Sequence, residues 1–115
     1  MNKKLIVALA MSLALAGSTA FAAELANGSG QSCGDDPGTW HFVNNQTDQT
    51  TFQGTLTAEF SSGGPYIVLA TKVLRNVQHF FVVGPSGMLL DAYTNLPGRL
   101  VLSDFSCDAK SPPTK

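Results

Sequence analysis

The feature that most constrains this chain is a seven-residue run, Val77–Val83, in which valine and phenylalanine fill all but two positions. In a strand, alternate side chains point to opposite faces, and here both faces are largely apolar. One face would carry Val77, His79, Phe81 and Val83, and the other Gln78, Phe80 and Val82. The run therefore predicts a central strand, buried on one side against a second sheet and covered on the other by long side chains or loops.

Turn-forming segments rich in Gly, Pro, Asn and Ser recur about every ten residues on either side of this run. In the clearest strand between them, Leu56, Ala58 and Phe60 alternate with polar residues, as a half-buried strand requires. No amphipathic helical window follows the N-terminal segment. We therefore predict an all-β chain folded as a small antiparallel β-sandwich, with a small barrel as the alternative. The predicted strands are 39–43, 54–60, 66–70, 77–83, 88–93 and 100–107.

The first 22 residues have the form of a bacterial signal peptide. Lys3 and Lys4 precede an apolar stretch at residues 5–15, which is too short to span a bilayer, and small residues at positions 20 and 22 suit a signal peptidase. We predict cleavage before Ala23, a secreted or periplasmic location and no membrane insertion after cleavage. The alternative is a segment retained as a membrane anchor.

The remaining chain, about ninety residues long, is sufficient for one domain. We expect a flexible lead-in at residues 23–32, the β-sandwich domain at residues 33–107 and a disordered tail at residues 108–115. A domain of this size buries only about 60–65% of its unfolded surface, so a covalent link would help to stabilise it. Cys33 and Cys107 are the two cysteines of the chain, and in an oxidising compartment they predict one disulfide. Free thiols or an intermolecular bridge are the alternatives.

The charge balance argues against two classes of partner. Lys3 and Lys4 belong to the predicted signal peptide, and without them five of the seven Lys and Arg residues oppose eight Asp and Glu residues. Binding to phosphates or to an anionic membrane surface needs a basic stripe, which this sequence lacks. We therefore expect no nucleic-acid partner and no membrane-surface partner.

The two histidines, His41 and His79, are the first candidates for a chemical role. Both lie in predicted strands, and if those strands were neighbours the two imidazoles could meet and bind a metal ion. Two histidines without a third ligand at motif spacing are a weak signal. The plainer interpretation is that each ring is partly buried and bonded to an oxygen atom, and we predict no cofactor.

Other arrangements of chemical groups are weaker still. The disulfide would bring Asp35 and Asp36 near Asp108, where oxygen ligands can hold calcium, although a solvated turn explains the same residues. No Gly-x-Ser-x-Gly elbow is present, and both cysteines are assigned to the disulfide. We therefore predict a non-enzymatic protein with no catalytic residues.

Aromatic side chains and polar loops offer possible binding surfaces. Trp40, Tyr66 and Tyr93 could form a patch that contacts a sugar or a peptide, although we assign Trp40 to the core. The polar run 44–53 predicts a long exposed loop. The candidate binding residues are Asn44 and Asn45 in that loop and Tyr93 beside the predicted turn at residues 95–98.

Several short motifs resemble those of a small extracellular β-sandwich module found in bacterial secreted and cell-surface proteins. The motifs are Trp40-His41-Phe42-Val43-Asn44, Val77-Gln78-His79-Phe80 and Leu100-Val101-Leu102-Ser103, followed by Cys107. The resemblance covers the chain from Cys33 to Cys107. It implies a surface or interaction role and assigns no site residues.

Together these observations predict a small secreted binding or interaction module for a protein or a glycan. Two alternatives remain open at this point. One is an inhibitor of a secreted hydrolase, which the size, disulfide and compartment suit equally well. The other is a metal-binding protein or enzyme that uses His41 and His79.

Overall fold

The computed structural model describes residues 23–108, so the predicted signal peptide at 1–22 and the predicted tail beyond Asp108 lie outside the described residues. Within the described range there is no helix long and apolar enough to cross a membrane. The chain forms seven strands: β1 (Gly38–Asn45), β2 (Thr55–Phe60), β3 (Gly63–Leu69), β4 (Lys72–Val73), β5 (Val77–Val83), β6 (Leu89–Thr94) and β7 (Arg99–Cys107).

The strands form two antiparallel sheets, which confirms the predicted β-sandwich and not the barrel. The four-stranded sheet has the order β4-β5-β1-β7, and the three-stranded sheet has the order β3-β2-β6. The Cys33–Cys107 disulfide is also confirmed, and it joins residues 74 positions apart in the sequence. A disulfide of this kind indicates a non-reducing compartment.

The core lies between the sheets and is built around Trp40 and Phe42, which are fully buried on the inner face of β1. The Trp40 ring stacks on Phe105 of β7, with ring centroids 4.7 Å apart, and meets Phe60 of the opposite sheet at 4.9 Å. Its indole Nε1 donates a hydrogen bond to the carbonyl oxygen of Pro85 at 3.2 Å, so the one polar atom of this buried ring is satisfied. The prediction that Trp40 belongs to the core is confirmed.

The prediction that β5 is a central strand covered on both faces is only partly correct. Gln78, Phe80 and Val82 face the core as the alternation requires, but β1 rather than β5 lies between two long strands. The other face of β5 is not covered, because Phe81 is 40% exposed and Val83 is 70% exposed. Composition alone could not distinguish an apolar outer surface from a second buried face.

The loop predicted at residues 44–53 is also shorter than expected. Asn44 and Asn45 complete β1, and Asn44 is fully buried, so the prediction that it lies in an exposed loop is wrong. Its side chain is satisfied inside the sandwich, where Oδ1 accepts a hydrogen bond from Thr94 Oγ1 at 2.6 Å and Nδ2 donates to the carbonyl oxygen of Pro97 at 2.9 Å. A buried amide of this kind replaces its lost water contacts with protein partners.

The lead-in at residues 23–32 is irregular but attached at several points. Its N–H groups donate to carbonyl oxygens of β6, β7 and the turn between them: Ala23 to Leu96, Leu25 to Ala92 and Ala26 to Leu100, at 2.8–3.0 Å. Backbone bonds as well as Cys33 therefore hold this segment to the sandwich. The outer edges of β6 and β7 carry backbone groups that need partners, and the lead-in supplies them.

Candidate functional site

The two histidines meet on the outer face of the four-stranded sheet. β1 and β5 are neighbours, with His41 opposite Phe81 and His79 opposite Val43. The two imidazoles are therefore diagonal neighbours on one face. Nε2 of His41 lies 3.0 Å from Nδ1 of His79, which is a hydrogen-bond distance.

A third side chain, Asp104 of β7, extends this arrangement. Its Oδ1 lies 3.6 Å from Nδ1 of His41, which is an electrostatic contact rather than a hydrogen bond. Asp104 reaches this position because of a bulge: His41 pairs with Asp104 while Phe42 pairs with Leu102, which leaves Ser103 as the extra residue. In a regular ladder Ser103 would lie opposite His41 instead.

The contact of His41 with Asp104 favours one arrangement of protons in the histidine pair. A carboxylate only accepts protons, so Asp104 favours a proton on Nδ1 of His41. In that tautomer of neutral His41, Nε2 accepts the hydrogen bond and Nδ1–H of His79 donates it. The ring of His41 also stacks on Phe81, with centroids 4.3 Å apart and planes 4° from parallel, which fixes its orientation.

The surroundings of His79 favour its neutral form. Partial burial lowers the pKa of His79 below its usual value, and the nearby His41 and Lys72 lower it further through charge repulsion. Lys72 lies directly opposite His79 in the β4–β5 pair. A second proton on this cluster is therefore disfavoured.

The predicted metal candidates have different outcomes. The imidazoles of His41 and His79 meet, as the sequence allowed if their strands were neighbours. Within residues 23–108, however, no group of three or more His, Cys, Asp or Glu residues is placed to hold a metal ion. The calcium candidates Asp35, Asp36 and Asp108 lie within this range and form no such group.

A second surface lies on the outer face of the three-stranded sheet. Ile67 of β3, Thr57 of β2 and Tyr93 of β6 are directly opposite one another and form one row across the sheet. Leu69 extends the row beside Thr55. Ile67 is 65% exposed, Leu69 55% and Tyr93 42%. We call the surface formed by Ile67, Leu69 and Tyr93 the outer apolar row.

The rim of the outer apolar row is acidic. Glu24 of the lead-in pairs with Tyr93, and Glu59 pairs with Asp91 on the same face. All three carboxylate residues are exposed. Strands β2, β3 and β6 contain no Lys or Arg, so nothing within this sheet balances these charges.

The remaining predicted binding residues do not converge on one surface. Trp40 is fully buried and Tyr66 packs against the core, so the two do not form a patch with Tyr93. Asn44 is buried and Asn45 is only half-buried at the end of β1. Tyr93 is the one predicted binding residue that lies on a largely exposed surface.

No family model matches this chain, and no curated protein and no solved structure is significantly similar to it. The resemblance to a secreted β-sandwich module therefore stays a prediction. Sequence reasoning missed Asp104, Ile67 and Leu69 as members of these two surfaces. Their signal is the period-two alternation, which could have placed Ile67 and Leu69 on one face, whereas the bulge that turns Asp104 toward His41 leaves no mark in the pattern.

Proposed function

We propose that this chain is a small secreted binding module that contacts a partner protein through the outer apolar row. The observation that carries this proposal is that Ile67, Leu69 and Tyr93 are exposed on one sheet face, with Thr57 between Ile67 and Tyr93. Adjacent exposed apolar groups are typical of interaction sites, whereas isolated ones are common on any surface. The disulfide supports the secreted location.

The chemistry of the row favours a protein over a glycan. A glycan site needs an aromatic face surrounded by hydrogen-bonding groups, and here Tyr93 stands in a row with the aliphatic side chain of Ile67. The acidic rim of Glu24, Glu59 and Asp91 further defines the partner. It should present an apolar surface bordered by Lys or Arg, because complementary charges speed association and select partners.

A capture experiment with matched variants tests this proposal. The threonine variant I67T/L69T/Y93T removes the apolar side chains and keeps residues that suit a strand. V83T is the matched control, because Val83 is the most exposed large apolar residue on the opposite sheet. Circular dichroism and thermal unfolding first establish that both variants fold.

The expected result is a protein retained by the wild-type chain and by V83T but not by the triple variant. After purification, that protein should bind the triple variant at least about tenfold more weakly, as expected when a central apolar contact is lost. The affinity should also fall between 50 and 500 mM NaCl, since salt screens the acidic rim. Equal binding by all three chains would overturn the proposal.

The same experiment separates the other candidate functions. If the retained protein is a hydrolase whose activity falls on binding, the module is an inhibitor, with the same contact surface. If only glycans bind, and the threonine variant binds them as well as the wild type does, the protein-binding proposal is wrong.

A further inference from the structure

We propose that His41 and His79 form a two-histidine site for a divalent transition-metal ion, with Cu²⁺ the preferred ion, on the outer face of the four-stranded sheet. This site is independent of the outer apolar row, which lies on the other sheet. The ligand atoms are Nε2 of His41 and Nδ1 of His79, and water completes the coordination.

The spacing of the two nitrogens suits a shared metal ion. Two nitrogens bound about 2.0 Å from one ion lie about 2.8 Å apart at a right angle and about 3.3 Å apart at the tetrahedral angle. The observed separation of 3.0 Å falls between these values. The ring centroids are 5.2 Å apart, so the two nitrogens point almost directly at each other, and each ring must turn by about 40° for both lone pairs to meet at one ion.

The proton that joins the two rings is replaced by the metal ion. Nδ1 of His79 loses its proton to solvent, and Nε2 of the same ring takes one up, so both imidazoles stay neutral. Among the described residues, no hydrogen bond engages Nε2 of His79, and the new proton meets no competing donor there. His41 keeps its Nδ1 proton toward Asp104 and needs no change of tautomer.

Asp104 and Phe81 already provide the outer contacts that metal-binding histidines require. A carboxylate on the far nitrogen of a ligating histidine holds its tautomer and raises its basicity. Asp104 lies at that nitrogen of His41, and the stacked ring of Phe81 holds the imidazole plane. Imidazole nitrogen suits Cu²⁺, Ni²⁺ and Zn²⁺, and the general order of affinities places Cu²⁺ first.

Two charged neighbours should change the affinity in opposite directions. Asp104 attracts a cation and supports His41, whereas Lys72 lies opposite His79 and repels a cation. Asp104→Asn should therefore weaken metal binding, and Lys72→Gln should strengthen it. This pair of opposite effects is specific to a cation held between the two rings.

The test uses the untagged chain expressed with its own N-terminal segment and freed of metal with a chelator. Cu²⁺ alone is titrated by calorimetry, and electron paramagnetic resonance reports the bound nitrogens. The chain contains only two histidines, so an imidazole signal has no other source. His41→Gln and His79→Gln are the ligand variants, and thermal unfolding establishes that each one folds.

The expected result is one Cu²⁺ per chain with two imidazole nitrogens, at least tenfold weaker binding in either glutamine variant, and the order Cu²⁺ above Zn²⁺. Asp104→Asn should weaken metal binding by up to about tenfold. This is the low end of the effect expected for a carboxylate behind a ligating histidine, because the contact between Asp104 and His41 is longer than a hydrogen bond. Unchanged binding in the double variant H41Q/H79Q, no binding to the wild type, or tighter binding in Asp104→Asn would each overturn the proposal.

Discussion

Asn44 and Gln78 are polar side chains that lie fully inside the sandwich and hold parts of the fold that the apolar pattern does not specify. Gln78 accepts a hydrogen bond from the backbone N–H of Gly54 at 2.7 Å and donates to the carbonyl oxygen of Phe52 at 2.8 Å. The loop before β2 is therefore fixed to β5 through one side chain. A polar residue in an apolar run can be recognised as an anchor for a loop only when its burial is known.

We expect Asn44→Ala to destabilise the fold by about 2–3 kcal/mol, because it leaves the Thr94 hydroxyl and the Pro97 carbonyl without their buried partner. The control is Asn45→Ala, one residue along and on the outer face, which should cost less than about 0.5 kcal/mol. Urea unfolding measures both free energies. Equal losses for the two variants would contradict the buried role of Asn44.

The lowered pKa of His79 predicts a dependence of stability on pH. His79 faces His41 from β1 and Lys72 from β4, and Asp104 of β7 contacts the other ring nitrogen of His41. A base whose pKa is lower in the folded state binds protons more readily when unfolded, so acid favours unfolding. The stability that neutral His79 contributes is fully present above its pKa in the unfolded chain, about 6.5. It is lost as the pH falls through the lower pKa of His79 in the folded protein.

Thermal unfolding between pH 8 and pH 5, with a chelator present, should therefore show a steeper loss of stability in the wild type than in His79→Gln. The glutamine variant keeps a polar side chain but has no proton to gain in this range. If the two profiles are parallel, burial and charge do not lower the pKa of His79.

At the scale of elements, the alternation of apolar residues predicted the strands well. The alternation in β2 and the shared face of Trp40 and Phe42 in β1 are both as expected. The order of the strands and the bulge at Ser103 depend on pairings between distant segments, which a local pattern does not contain. The same limit explains why the outer face of β5 was predicted to be covered.

The turn between β6 and β7 was predicted from its residues 95–98, but its packing was not. Leu96 is fully buried although it lies in a turn, and Gly98 has a φ of 107°. A Cβ on Gly98 would overlap the backbone carbonyl oxygen of Asn45, so both the conformation and the contact require glycine.

We expect Gly98→Ala to destabilise the fold by more than about 2 kcal/mol. Gly30→Ala is the matched control, because Gly30 has a φ of 99° but no atom within 4 Å of its added Cβ. Gly30→Ala should destabilise the fold by only about 1 kcal/mol, which is the cost of a left-handed backbone conformation for alanine. The difference between the two free energies of unfolding measures the steric contact at Asn45, and equal costs would show that this contact is absent.

At the scale of the whole molecule, the disulfide ties the segment before β1 to the end of β7. Its loop of 74 positions reduces the entropy of the unfolded chain by an amount worth about 4 kcal/mol in the chain-entropy model. The lead-in also bonds to β6 and β7 through its own backbone N–H groups, and these contacts are separate from the disulfide.

We therefore expect the variant C33A/C107A to unfold at a lower urea concentration, with a loss of about 3–4 kcal/mol. Wild-type protein in a thiol reductant should show the same loss, which controls for the packing of the alanines. A change below about 1 kcal/mol in both would mean that the sheets and the lead-in alone stabilise the domain.

The two outer faces of the sandwich differ in chemistry, and we assign partner binding to the face of the three-stranded sheet only. NMR mapping on the isotope-labelled chain, with the captured and purified partner added, tests this assignment most directly. We predict that the amide signals that shift belong to Thr57, Ile67, Leu69 and Tyr93, while those of His41 and His79 do not move. Shifts centred on residues 46–53 or on the four-stranded sheet would contradict the assignment.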